Sequence, residues 1–222
     1  MPRNRAPYRP EFASVGPRDW TGRPVIIVGG GPSLTGFDFE RLRGVGYVLA
    51  VKQSWKHVPF ADACFGLDLP WLEWACDDLL KLQMPLYVAA PDQTLLGVHI
   101  ETATYIRRVT GEGLSDNPAF IHHGGHSGFG ALNFAWLRGA RRVFLFGYDY
   151  TGDHHDIAAY QGRSTSAQAS MWYLPRWVKH FVPVVEQAKA AGVEIINASP
   201  GSLLDVFERV PHDEALQRIH RV

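Results

Sequence analysis

The chain has 222 residues, 46% apolar and 20% charged, a composition that excludes a disordered chain and suits one globular domain, or at most two small ones, with a substantial core. Its 22 Lys and Arg balance 22 Asp and Glu, so no net field draws it to nucleic acid or to a membrane surface. Two cysteines, Cys64 and Cys76, exclude a disulfide scaffold and a Cys-rich zinc module. No apolar run reaches the roughly 20 residues of a membrane span, and the Arg- and Pro-rich start lacks a signal-peptide core. The expectation is a soluble, cytoplasmic protein.

Residues 1–23 read as an arm, in which Arg3, Arg5, Arg9 and Arg18 alternate with Pro2, Pro7, Pro10 and Pro17. A surface strap is the ordinary reading of such a segment, and a phosphate- or lipid-facing arm the functional one. The domain proper is expected over 24–222, with a lid segment at 150–180. Its first element is a β-branched run at 24–28, ended by Gly29, Gly30 and Gly31. A run apolar at every position predicts a strand buried on both faces. Ser33 or Thr35 then caps a short helix carrying Phe37, Phe39 and Leu42. Strands follow at 47–51 and 63–67, a helix at 69–82 with Pro70 in its first turn, and a strand at 86–89. Residues 94–108 read as a weak helix, 111–118 as a loop and 120–122 as a short strand. A helix over 127–138 ends at Gly139, and 143–146 is again apolar throughout. A long polar segment at 150–167 precedes a helix at 170–191, which Pro175 and Pro183 start or kink. A last strand at 194–197 and short helices at 202–207 and 213–220 close the chain.

Apolar strands alternating with helices predict an α/β fold, with a mostly parallel sheet covered on both faces. In such sheets ligands bind beyond the carboxyl ends of the strands. The residues at those ends are small and polar. Gly29, Gly30, Gly31, Pro32 and Ser33 follow the first strand. Glycines there let backbone N–H groups approach a phosphate or a ribose, although the turn lacks both the dinucleotide fingerprint and the P-loop lysine. The alternative is a tight turn without a ligand. Lys52 and Gln53 follow the second strand; the lysine faces a phosphate or lies along the surface. Asp68 is either a working carboxylate or the cap of the next helix. His122, His123 and His126 admit a metal, but the glycine-rich start at Ser127 and Gly128 reads more readily as an anion cradle. Asp149 ends the strand at 143–146, and Asp153, His154, His155 and Asp156 form the densest chemical cluster of the chain. That cluster offers a general base, a divalent-ion site or a solvated loop.

Three blocks together resemble one superfamily. They are VIIVGGGPSL from Val25, SGFGALNFA from Ser127 continuing into GARRVFLFGYD from Gly139, and AGVEIINASPGSLL from Ala191. The chain looks like the bacterial CMP-sialic-acid-dependent sialyltransferases and the related motility-associated-factor and hydroxymethylpterin diphosphokinase-like proteins. Residues 50–74 look most like phage and prophage members of that group. The resemblance implies a Rossmann-like, glycosyltransferase-type single domain that holds a nucleotide. Gly29, Gly30, Gly31, Pro32 and Ser33 would line it, with Lys52 and Gln53 beside the phosphate. Ser127 and Gly128 would meet the donor phosphate or base, Asp149 the ribose, and Ser199, Pro200, Gly201 and Ser202 the base. The chain departs from the sialyltransferase pattern at Gly30 and Lys52, where the family has Asn, and has no histidine near Pro175.

Three readings result. A glycosyltransferase-like enzyme would pass a sugar from a nucleotide donor to a hydroxyl acceptor, with His154, His155 or Asp68 as base and no required cofactor. A diphosphate or nucleotidyl transferase would use Mg²⁺ held by Asp149, Asp153 and Asp156. A non-catalytic protein would bind nucleotide or mediate a phage–host contact. A homo-oligomer is compatible with each.

Overall fold

The structure, a computed structural model, describes residues 7–67, 69–151 and 176–221. Nine strands form one sheet in the order β6-β5-β4-β3-β2-β1-β7-β8-β9, and every pair is parallel. The strands are β1 (Val25–Val28), β2 (Tyr47–Val51), β3 (Ala63–Gly66), β4 (Leu86–Ala90), β5 (Ala103–Val109), β6 (Phe120–His122), β7 (Arg142–Phe146), β8 (Glu194–Asn197) and β9 (Glu208–Arg209). The helices are α1 (Leu69–Trp74), α2 (Cys76–Leu79), α3 (Ser127–Leu137), α4 (Val182–Ala191) and α5 (His212–His220). This is the expected parallel α/β architecture.

Successive side chains of a strand point to opposite faces, and the core divides accordingly. Val25, Ile27, Leu49, Phe65, Val143 and Leu145 pack on one face with α3 and α4. Ile26, Val28, Val48, Ala50, Phe144 and Phe146 pack on the other with α5. Cys64, Leu86 and Val88 meet α1 and α2 on that second face. All of α3 except Gly128 is buried, because Trp20 of the arm covers it against Phe134 at 5.5 Å between rings. Gly130 lets the helix lie close on β3: a Cβ there would sit 3.0 Å from Phe65. Gly139, at φ +95°, stops it as expected, and Ala140 N–H reaches back to the Ala135 carbonyl at 3.0 Å. Residues of the arm lie along the fold, with Tyr8 bridged to Leu96 and Ala13 to Ile106.

Four expectations need correction. Residues 94–108 are not a helix, because Thr104, Tyr105, Ile106 and Val109 are β-branched or aromatic and form β5 beside β4. The helix at 69–82 breaks at Ala75 into α1 and α2. Residues 202–207 are irregular, since the Ser202 hydroxyl and Leu204 backbone are drawn to Asn197. The short helix after β1 is two 3-10 turns, Pro32–Leu34 and Phe39–Leu42.

The chain steps outward from β1 through β6, and α3 then carries it back to β7 on the other side of β1. Strand order therefore reverses between β1 and β7. Asn133, fully buried in α3, ties this return to the sheet. Its Oδ1 accepts the Ser115 N–H at 3.0 Å and the His122 N–H at 2.7 Å, and its Nδ2 donates to the Ser115 carbonyl at 3.0 Å. Asn133→Leu would strand three backbone groups. It is expected to cost about 3 kcal/mol or more, read from the urea midpoint; a loss under about 1 kcal/mol would show that the tie is dispensable.

Candidate functional site

Ligands of open parallel sheets bind where strand order reverses, so the carboxyl ends of β1 and β7 define the site. The two turns there are joined. Gly29 N–H donates to the Phe146 carbonyl at 2.7 Å, and Gly31 N–H to the Gly147 carbonyl at 2.9 Å. Ser33 then gives both its donors to Asp149: the N–H to Oδ1 at 3.0 Å and the hydroxyl to Oδ2 at 2.8 Å. Ser33 therefore does not cap a helix; the turn begins at Gly31 without a side-chain cap. Gly31 has an ordinary φ of −71°, so it is required for space. A Cβ on it would lie 1.9 Å from Asp149 Oδ2 and 2.7 Å from the Gly147 carbonyl. Asp149 is only 3% exposed. Burial pushes its carboxyl above the ordinary value, and the Ser33 bonds pull it partly back.

Beyond β2, Lys52 is held at φ +54°. Gln53 is buried, and its Oε1 accepts the indole N–H groups of Trp71 at 3.1 Å and Trp55 at 3.3 Å. It acts as a packing anchor. The Ser54 hydroxyl donates to the Gly29 carbonyl at 2.6 Å and so fixes the glycine turn from the β2 side.

The start of α3 completes the floor. Ser127 Oγ accepts the Leu67 N–H at 3.3 Å, which joins the helix to the end of β3. Its cap is His126, whose Nδ1 accepts the Phe129 N–H at 3.2 Å. The Tyr148 hydroxyl donates to the Gly128 carbonyl at 3.0 Å. A Cβ on Gly128 would lie 3.2 Å from His126 Nδ1, the Tyr148 ring and the Tyr150 hydroxyl alike. The three clustered histidines diverge. His122 Nδ1 faces the Gly113 carbonyl at 3.0 Å, and His123 Nδ1 accepts the Gly125 N–H at 3.0 Å. No group of three or more His, Cys, Asp or Glu among the described residues could hold a metal ion.

Ser199 and Ser202 turn inward. Ser199 Oγ accepts the Tyr148 N–H at 2.8 Å, and the Ser202 hydroxyl donates to the Tyr148 carbonyl at 2.5 Å. Both are buried, while Pro200 and Gly201 between them are exposed. The serines therefore brace the residue before Asp149, and only Pro200 and Gly201 face outward.

The structure thus gathers Gly29, Gly31, Ser33 and Asp149 at β1 and β7, with Ser127 and Gly128 beside Tyr148. Asp68, Asp153, His154, His155 and Asp156 lie outside the described residues. Sequence reasoning missed Tyr150. Its φ of +56° makes it, with Lys52, one of two non-glycine residues in the left-handed region among the described residues. Lys52 directly follows β2 and Tyr150 lies four residues beyond β7, both at the carboxyl edge; outliers of this kind cluster at functional sites. The tyrosines flanking Asp149 on both sides were the available signal.

No family model matches the chain, and no curated protein matches it. Among solved structures it is similar to the sialyltransferase CstII from Campylobacter jejuni in complex with a substrate analogue, cytidine-5'-monophosphate. The two share 16% identity over 85% of each chain, with a TM-score of 0.45.

A carboxyl raised by folding holds its proton more tightly folded than unfolded. Its contribution is most favourable below its unfolded value, about 4, and is lost as pH rises through the folded value. The stability of the parent protein relative to Asp149→Asn is therefore expected to grow as pH is lowered from about 7 to about 4. Urea unfolding across that range checks it, and a constant difference would contradict the buried carboxylate. Gly31→Ala is expected to spread the two turns and lower the melting temperature by several degrees.

Proposed function

We propose that the chain is a glycosyltransferase-like enzyme that binds a nucleotide-activated sugar across the β1–β7 crevice and passes the sugar to a hydroxyl acceptor. The observation that carries this reading is the Ser33–Asp149 clasp at the point where strand order reverses. A buried carboxylate there repels a phosphate and accepts from hydroxyls. Each of its oxygens keeps a second lone pair after accepting from Ser33, which suits a ribose diol. The phosphate then belongs at the start of α3, where the helix dipole favours an anion. Ser127 and Gly128 lie at that start, and Lys52 supplies a cation from the β2 edge. The motif blocks shared with the sialyltransferase-like superfamily support a CMP-linked donor.

In the proposed reaction the acceptor oxygen attacks the sugar's anomeric carbon as the bond to the nucleotide phosphate oxygen breaks. The acceptor proton passes to a base, for which His154, His155 and Asp68 are the proposed candidates. No metal is needed in this scheme. Mg²⁺-dependent diphosphate transfer would ask Asp149 to ligate metal with Asp153 and Asp156.

The test is a thermal-shift panel of CMP, CDP, UMP, UDP, GDP and AMP, with and without Mg²⁺. A ligand at about 100 times its Kd stabilises by roughly 2.7 kcal/mol, a rise of several degrees for a chain of this size. One nucleotide is expected to give that rise without metal, and Asp149→Ala to abolish it. A rise only with Mg²⁺ would replace the reading with diphosphate transfer, and no rise with any nucleotide would reject it.

A further inference from the structure

His126 carries a polar group that neither the fold nor the scheme above uses. Its Nδ1 accepts the Phe129 N–H at 3.2 Å as the cap of α3. A ring nitrogen that accepts bears no proton, so the neutral imidazole carries its proton on Nε2. That Nε2–H is buried and has no hydrogen-bond partner among the described residues. Burial, with His180 and His123 nearby, pushes the imidazole down to about 3, so it stays neutral near pH 7. Aromatic rings surround the imidazole. Trp177, Tyr150 and Phe181 stand 5.2, 5.4 and 5.7 Å from it between centroids.

A buried donor without an acceptor is retained when something else supplies the acceptor. We propose that His126 is a neutral hydrogen-bond donor to a phosphate oxygen of the bound nucleotide, uncovered when the Trp177 indole moves off it. This rests on the nucleotide-donor reading of the same site. Three observations converge on it. His126 Nδ1, the Tyr150 hydroxyl and the Tyr148 ring all border Gly128, in the first turn of α3. That turn has an anion-favouring dipole. Trp177 is half-buried and lies across the exposed Gly125, where a Cβ would sit 3.2 Å from the indole Nε1. A neutral imidazole at a helix start donates without adding charge, so it can stabilise developing negative charge on the departing phosphate and does not hold the product as an ion pair.

The test compares AMP, CMP, GMP and UMP with their nucleosides, by calorimetric titration of the full chain. The best-binding monophosphate is expected to bind at least about tenfold tighter than its nucleoside, the scale of a hydrogen bond to a charged group. His126→Asn and His126→Ser keep a capping oxygen at that position and remove the Nε2–H. Both are expected to leave nucleoside affinity within about twofold and to erase most of the phosphate increment. Intrinsic fluorescence should change on adding the monophosphate, and Trp177→Phe should lose that change. In ¹⁵N-histidine spectra the His126 Nε2 proton should move downfield with the monophosphate and stay in place with the nucleoside. An undiminished increment in both variants, or an unmoved Nε2 proton if neither variant folds, would overturn the proposal. Equal binding of nucleoside and nucleotide would overturn it and leave the nucleotide-site reading standing. No binding of either would reject that reading itself.

Discussion

The carboxyl edge of the sheet depends on one buried carboxylate receiving two hydrogen bonds from one serine. Ser33 and Asp149 are 116 residues apart, yet their turns close on each other because β1 and β7 are neighbours. The clasp imposes conditions on residues around it. Gly31 must lack a side chain, since any Cβ would strike Asp149. Gly147 must adopt φ +70°, with Leu34 packed against it. Tyr148 must be held by both its backbone groups, which Ser199 and Ser202 do. The glycine turn must be fixed from its other flank, which Ser54 does. Loss of one such contact would be felt by the whole edge, because the groups share partners and act as one network.

The strands that build this edge were legible because burial on both faces demands apolar residues at every position. β1 and β3 are buried at every position, and β2 and β7 at every position but the first. β5 was not legible because it lies next to the short outer strand β6 and is only partly buried, so Arg107 and Arg108 interrupt its pattern. The segment 202–207 looked helical by its apolar spacing. Side-chain bonds to Asn197 decide its path instead, and nothing in local propensity announces them.

The site was legible in position and less so in roles. Strand-end reasoning found Gly31, Ser33, Ser127, Gly128 and Asp149 because topology alone puts them on one edge. It could not say which of them bind one another. Ser199, Ser202 and Gln53 have the same residue types as ligand contacts, yet the two hydroxyls are spent on Tyr148 and the Gln53 Oε1 on Trp71 and Trp55. A hydroxyl that braces a turn and one that meets a ligand look alike in sequence, and only the partner distinguishes them. The reverse holds for His126, which sequence grouped with His122 and His123 as a metal candidate. Its helix cap consumes the nitrogen that would accept and leaves the one that donates.

These assignments give the edge an electrostatic character that the zero net charge does not reveal. Burial pushes the phenols of Tyr148 and Tyr150 up and the imidazole of His126 down, so all three stay neutral over a wide pH range. His123 is also held down, by burial and then by Arg108, His180 and His122. Between the two tyrosines in the chain stands Asp149, its carboxylate held by Ser33. In the proposed reading, a ligand with hydroxyls at one end and a phosphate at the other would meet an acceptor at the first and the neutral His126 donor at the second. Such a site would orient its ligand by polarity. Neutral dipoles fixed by a folded edge need no reorganisation as charge develops on a leaving group. They also release an anionic product more readily than a cluster of cations would. The network that holds Asp149 and the cap that holds His126 thus contribute the same property from the two sides of the crevice: polar groups set in direction before a ligand arrives.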